Sequence, residues 1–227
     1  MAFKAAVYQA QGKLEQAAKL LSERNAQHPS EIASPSASVT VLRQLRLERN
    51  HAELVRSLQT QLAQFHFDSD FDKGFAHVNL AFAQYFGGDS AGAKVTAQQA
   101  RNTLEPLCKS EPNNATFARY LSLSYAALGN KDWAINEAER AIMLSQSAKD
   151  RDRMNRSRSE ENLAVIQAMF GENNRSISTL RWLLQTAYGS SLYNPMPLTP
   201  ALLRLDPLWD PLRSDPAFQK LCEEKQP

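Results

Sequence analysis

Residues 120–141 read YLSLSYAALGNKDWAINEAERA. Two apolar patterns at helical spacing meet here, parted by Gly129-Asn130. The first is Leu121, Tyr125 and Leu128; the second is Trp133, Ala134, Ala138 and Ala141, continuing to Ile142. Gly129 adopts the left-handed conformation that ends a helix without a steric penalty, and Asn130 tolerates it nearly as well. The small residues Ser122, Ala134, Ala138 and Ala141 stand where two antiparallel helices must approach closely. Large side chains there would hold the backbones apart. The stretch predicts a helix–turn–helix pair.

The turn signal recurs. Gly12, Asn50, Gly88 and Gly171 join Gly129 at intervals of roughly 40 residues, in a chain with only eight glycines. Each is flanked by helix-like segments: 2–11 with 14–27, 36–49 with 52–65, 72–86 with 91–109, 114–128 with 133–145, and 154–170 with 175–187. A small or apolar residue recurs five places after each turn: Ala17, Val55, Ala93, Ala134 and Ser176. Another recurs seven places before it: Ala5, Arg43, Ala81, Ser122 and Ala164. Arg43 is the misfit, and it predicts distorted packing in the second pair.

The linkers agree. His28-Pro29-Ser30 and Ser34-Pro35-Ser36 break one helix and offer a serine cap for the next. Glu111-Pro112-Asn113-Asn114 does the same before the clearest pair. Beyond residue 187 the pattern changes. YGSSLYNPMPLTP is rich in turn formers. Thr199, Asp206 and Asp215 are each followed by proline, the signature of a helix N-cap with proline at the first position. Three short helices are predicted, 200–205, 207–212 and 216–222. Their apolar residues, Trp209 among them, should cover the open end of the last pair. Residues 1–187 thus form a helical array and 188–227 a capping segment. Trp209 is expected against the fifth pair, near Leu180, Leu183 and Leu184.

Composition narrows the function classes. The chain has 227 residues, is 43% hydrophobic and 22% charged, and carries a net charge of +2. That charge is too small to argue for nucleic acid or a membrane surface. No apolar run approaches the ~18 residues of a membrane span. Cys108 and Cys222 stand far apart and in no metal-like spacing, as in a reducing compartment. Met1 leads straight into AFKAAVYQAQG, which already reads as helix rather than a signal peptide; a fragment of a longer protein, or an array beginning on a bare helix, would start this way.

The pair at 114–145 resembles a tetratricopeptide repeat (TPR), a helix–turn–helix unit of about 34 residues. The tail LLRLDPLWDPLRSDPAFQKL (202–221) closely resembles the end of TPR regions at the C-termini of multidomain bacterial signalling proteins. These include serine/threonine protein kinases, winged-helix transcriptional regulators and adenylate-cyclase-like proteins. Glu161-Asn162-Leu163-Ala164 matches the "ENLA" stretch of those regions, whereas KDRDRMNRSRS at 149–159 departs from their usual join. The resemblance implies an all-α, right-handed α-solenoid of about five TPR-like helix pairs closed by a C-terminal helical cap. It also implies a cytoplasmic, non-catalytic protein–protein interaction module.

In a TPR array the first helix of each pair lines the concave face. Counting back from the turns gives Asn79, Phe82 and Tyr85 in the third pair, Arg119, Tyr120 and Leu123 in the fourth, and Arg158, Asn162 and Val165 in the fifth. Amides and guanidinium groups there would bond the backbone or carboxylates of an extended peptide, and rings would cover its side chains. The bland alternative is that Phe82 and Leu123 pack between helices. Asn79 is also a candidate member of a carboxylate clamp, although the matching lysines are not evident.

Other chemistry finds little footing. The phosphate loop GxxxxGK[ST], the dinucleotide fingerprint GxGxxG, HExxH and GxSxG are missing from the sequence. Asp68, Asp70 and Asp72 imitate the first positions of a calcium loop. Lys73 stands where its glycine belongs and Asn79 where its glutamate belongs, so an acidic linker capping the next helix is the better reading. Arg151, Arg153, Arg156 and Arg158 read as a solvated helix start or as an anion or phosphopeptide contact. The expectation is a docking module for a protein or peptide partner, without cofactor, metal or direct nucleic-acid contact. A homodimerising scaffold is the alternative, and a small-ligand sensor or enzyme using the groove is a third.

Overall fold

The computed structural model describes residues 2–27, 35–64, 67–146, 152–186 and 196–224. The described secondary structure is all helical. Ten helices come in consecutive pairs: α1 (Ala2–Ala10) with α2 (Leu14–Gln27), α3 (Pro35–Leu47) with α4 (His51–Gln64), α5 (Asp70–Phe86) with α6 (Ser90–Ser110), α7 (Ala115–Leu128) with α8 (Lys131–Gln146), and α9 (Asp152–Met169) with α10 (Asn173–Leu184). Then come α11 (Pro200–Leu205), a 3-10 helix, η1 (Pro207–Leu212), and α12 (Pro216–Glu223). No described helix is long and apolar enough to cross a membrane. Of the features read from the sequence, the linker at 28–34, Arg151 and residues 188–195 of the turn-rich stretch 188–200 lie outside the described residues.

The five turns share one hydrogen-bond pattern. Lys13, Asn50, Asp89, Asn130 and Glu172 each donate their backbone N–H to the carbonyl five residues earlier, at 2.8 to 2.9 Å. The residue just before each donor is left-handed: Gly12, Gly88, Gly129 and Gly171, with φ between +75° and +90°, and Arg49, with φ +59°. The second turn therefore centres on Arg49, one residue earlier than the Asn50 expected from the sequence. Glycine has no Cβ to clash in this conformation, whereas arginine is strained by it. A glycine-led reading slides onto Asn50 because asparagine is the commoner left-handed residue.

That shift of one residue resolves the misfit at Arg43. Counted from Arg49, the two close-approach positions are Leu42 and Leu54. The corresponding residues elsewhere are Ala5 and Ala17, Ala81 and Ala93, Ser122 and Ala134, and Ala164 and Ser176, all at 0% exposure. In the fifth pair the two positions touch, with Ser176 Oγ donating to the Ala164 carbonyl at 2.8 Å. In the second pair, leucines fill the space that elsewhere lets two backbones meet, and α3 packs more sparsely on α4 than the helices of the other pairs do on each other.

The odd-numbered helices form a layer: α1 packs on α3, α5 on α7 and α7 on α9, while among the described residues α3 makes no comparable contact with α5. The segment α11–η1–α12 binds this layer as a strap. Thr199 caps α11 and donates its Oγ1 to the Ala10 carbonyl at 2.7 Å. The 3-10 helix η1 packs on α9, and α12 packs on α10 and α11. Arg46 pairs with Asp206 at 2.8 Å, and Arg49 with Asp210 at 2.6 Å. Arg204 donates to the Cys222 carbonyl and Arg213 to the Arg204 carbonyl, tying the strap to itself. Trp209 is 1% exposed and shares a core with Leu180 and Leu183. Its own helix lies on α9, so the tail does more than cover the last pair: it links that pair back to α1 and α3.

Leu202, Leu203, Leu208, Trp209, Leu212, Phe218 and Leu221 of the strap are all buried. At about 1.5–3 kcal/mol for each large apolar side chain, their burial is comparable to the ~5–15 kcal/mol stability of a whole domain. The strap is therefore part of the core and not a ligand that a partner could displace.

Candidate functional site

The sparse second pair leaves a cleft beside it. Leu42 and Arg46 line it from α3, His51, Leu54 and Leu58 from α4, Asn79, Phe82, Ala83 and Phe86 from α5, and Leu208 from the strap. Each set follows helical spacing, so one face of each helix is presented. The cleft is shallow and open to solvent along its mouth, and its walls are mainly apolar. It lies where α3 packs sparsely on α4 and makes little contact with α5 among the described residues.

Three polar groups mark the walls. Arg46 is held by Asp206 across a little-exposed pair. Burial lowers the pKa of His51, and neighbouring Arg49 pushes it the same way against the opposing pull of Asp210. The ring is therefore neutral near pH 7. Asn79 donates Nδ2 to the Phe75 carbonyl at 2.7 Å, which fixes its amide plane. Its Oδ1 makes no hydrogen bond among the described residues. An apolar slot with one fixed amide suits an apolar side chain whose own backbone bonds the amide.

Of the nine residues proposed from the sequence, Asn79 and Phe82 meet in this cleft. Tyr85 stands beside it, partly exposed, with its ring edge-on to Phe86 at 5.1 Å. The fourth-pair residues are elsewhere. Arg119 lies over the Tyr120 ring at 5.0 Å, and Tyr120 packs edge-on against Phe71 and Phe75. Leu123 is enclosed in the core. In the fifth pair Asn162 and Val165 are fully buried on α9, the helix that carries η1, and Arg158 is partly buried. Leu42, Arg46, His51, Leu54, Leu58 and Leu208 line the cleft without having been anticipated. The available signal was the missing small residue at the close-approach positions, which the misplaced turn concealed.

Among the described residues no group of three His, Cys, Asp or Glu side chains is placed to hold a metal ion. In the acidic stretch Ser69 is the N-cap of α5: its Oγ accepts from the Asp72 N–H at 3.1 Å and donates to the Asp72 carboxylate at 2.6 Å. Both cysteines are buried, and burial pushes the Cys108 thiol up to about 11, so neither is poised as a nucleophile. No protein-family model matches the chain, and no curated protein matches it.

Proposed function

We propose that the chain is a non-catalytic docking module, a TPR-like right-handed α-solenoid that takes a peptide segment of a protein partner in the cleft between its second and third pairs. The observation that carries this reading is the meeting of Asn79 and Phe82 in an apolar slot beside Arg46. The repeated close-approach positions and left-handed turns support the TPR assignment. The Asp-Pro tail supports a place in a bacterial signalling protein, a kinase or a transcriptional regulator acting in the cytoplasm. The strap occupies much of the odd-numbered layer, so docking belongs to the cleft and not to a groove along the whole array.

The test selects peptides from a random display library on the intact chain and measures their affinity by fluorescence anisotropy. Ala83→Met, which fills the slot, and Asn79→Leu, which removes the amide, should each weaken the selected peptides at least tenfold. Peptides that bind both variants as tightly as the parent chain would place the docking surface elsewhere.

A further inference from the structure

The buried apolar residues form three separate clusters. The largest runs through α5 to α12, with Ala10 and Leu47 at its border. A second joins Leu42, Leu54 and Leu58 to Leu80 and Ala83 of α5, and a third holds Ala5, Ala17 and Leu21. Helices α1–α4 thus contribute only Ala10 and Leu47 to the largest cluster and meet the remainder along three seams. One is apolar, between α4 and α5. A second joins α1 to α11, where Thr199 Oγ1 donates to the Ala10 carbonyl. The third runs between α3 and the strap and carries the ion pairs.

The ionic seam has an unusual composition. Arg49 grips Asp210 with both guanidinium nitrogens, at 2.6 and 2.7 Å. This pair is exposed, whereas Arg46–Asp206 is enclosed. Arg43, at 0% exposure, faces Arg46, Asp206 and Glu161, yet none of its three guanidinium nitrogens makes a hydrogen bond. A seam of charges adheres through a few directional contacts, so losing one releases more of it than losing one methyl releases of an apolar seam. The cleft lies between the α4–α5 seam and the ionic seam, with walls from α3 and α4 on one side, α5 on the other and Leu208 of the strap.

We propose that α3 and α4 are latched to the strap by Arg49–Asp210 and Arg46–Asp206, and that releasing the latch lets these two helices swing away from the strap, with the α4–α5 and α1–α11 seams as the fixed contacts, and widens the cleft. The reading of the cleft as a docking site bears only on what then enters it. The latch governs access: closed, the slot admits a side chain; open, it admits a longer segment. Rising ionic strength screens the exposed pair and favours the open latch.

The experiment uses the full chain with Asp210→Asn and Arg49→Gly. The first breaks the grip and keeps the strained turn; the second breaks the grip and relaxes the turn. Hydrogen exchange followed by mass spectrometry should show α3 and α4 exchanging roughly three- to fivefold faster in Asp210→Asn, and less so in Arg49→Gly, where the relaxed turn offsets part of the lost grip, with α7 and α8 unchanged. Salt at about 1 M should speed α3 and α4 in the parent chain and do little more to the variants. An Ala83→Cys probe in the cleft, labelled with an aromatic disulfide reagent, should react faster whenever that exchange rises. Unchanged exchange in both variants overturns the proposal. So does equal acceleration in α7 and α8, or slower exchange in Arg49→Gly, which would leave turn strain as the whole effect. Labelling that fails to follow exchange overturns the widening of the cleft. Failure to find any peptide ligand would defeat the docking reading and leave these measurements untouched.

Discussion

Arg49 and Asp210 are 161 residues apart in the chain, and they meet through paired hydrogen bonds of 2.6 and 2.7 Å. Arg49 is also the one described non-glycine residue with a positive φ. A strained turn and a long-range grip therefore share one side chain. Arg49→Gly should relieve about 1–2 kcal/mol of left-handed strain while losing an exposed pair worth about 0.2–1 kcal/mol. The expected result in urea denaturation is a stability within about 1 kcal/mol of the parent chain. A loss above about 2 kcal/mol would mean that the grip matters far more than exposed pairs do elsewhere.

The glycine turns separate strain from contact. A Cβ at Gly129 would meet nothing within 4 Å, whereas one at Gly12 would come within 3.3 Å of the Ala201 Cβ on the strap. Gly129→Ala should lose about 1–2 kcal/mol from backbone strain alone. Gly12→Ala should lose more, because the strap must also shift. Equal losses in thermal melts would show that the strap gives way freely at α1.

The close-approach leucines offer a test of why the cleft exists. Buried Leu→Ala changes cost about 2–5 kcal/mol, least where neighbours collapse into the space. Leu42→Ala and Leu54→Ala should fall at the low end, and the fully enclosed Leu123→Ala at the high end. Made together, the first two should cost less than their sum, since α3 and α4 could then close to the spacing of the other pairs. Additive losses in a double-mutant cycle would mean that the helices are held apart by something other than these side chains.

Arg43 is predicted to be a burden. Burial lowers its pKa to about 9, and Arg46 adds to the effect, while Asp206 and Glu161 only partly oppose it. Removing the charge should leave stability unchanged or raise it by about 1–4 kcal/mol, so Arg43→Met is expected to melt no lower than the parent. The pH dependence has a definite sign. Above about pH 9 the unfolded chain still holds the Arg43 proton that the folded chain is releasing, so stability contributed by this site rises with pH there. The penalty is fully present below about pH 9. The advantage of Arg43→Met at pH 7 should shrink when the same urea titrations are run at about pH 10. A clear loss of stability at pH 7 would reverse the argument and make Arg43 a stabilising partner of Glu161.

Trp209→Ala removes a side chain that is 1% exposed in the core shared by α9, α10 and the strap. The expected cost is about 3–5 kcal/mol. Because the strap also reaches α1 and α3, hydrogen exchange should rise in those helices as well as in α9 and α10. Fraying confined to the fifth pair would reduce the strap to a terminal cap.

Local chemistry explains what was legible in the sequence alone. Helix pairing, the glycine turns at 12, 88, 129 and 171, and the starts at Thr199, Asp206 and Asp215 depend on hydrogen bonds spanning a few residues, so the residue types announce them. The eight small residues at the close-approach positions were legible for the same reason, since each turn sets their register. What only the tertiary structure decided rests on contacts without sequence periodicity. Arg49 takes a conformation that its type disfavours while gripping a carboxylate far along the chain. With that turn misplaced, Leu42 and Leu54 were hidden behind Arg43 and Val55. The strap's apolar residues announced that they must be buried, but hydrophobic burial is non-directional and does not say against which helices. Its course past α1, α3 and α9 came from shape and charge matching across the whole chain. That course enclosed Asn162 and Val165 with the fifth pair, and the cleft beside the spread second pair brought Asn79 and Phe82 together.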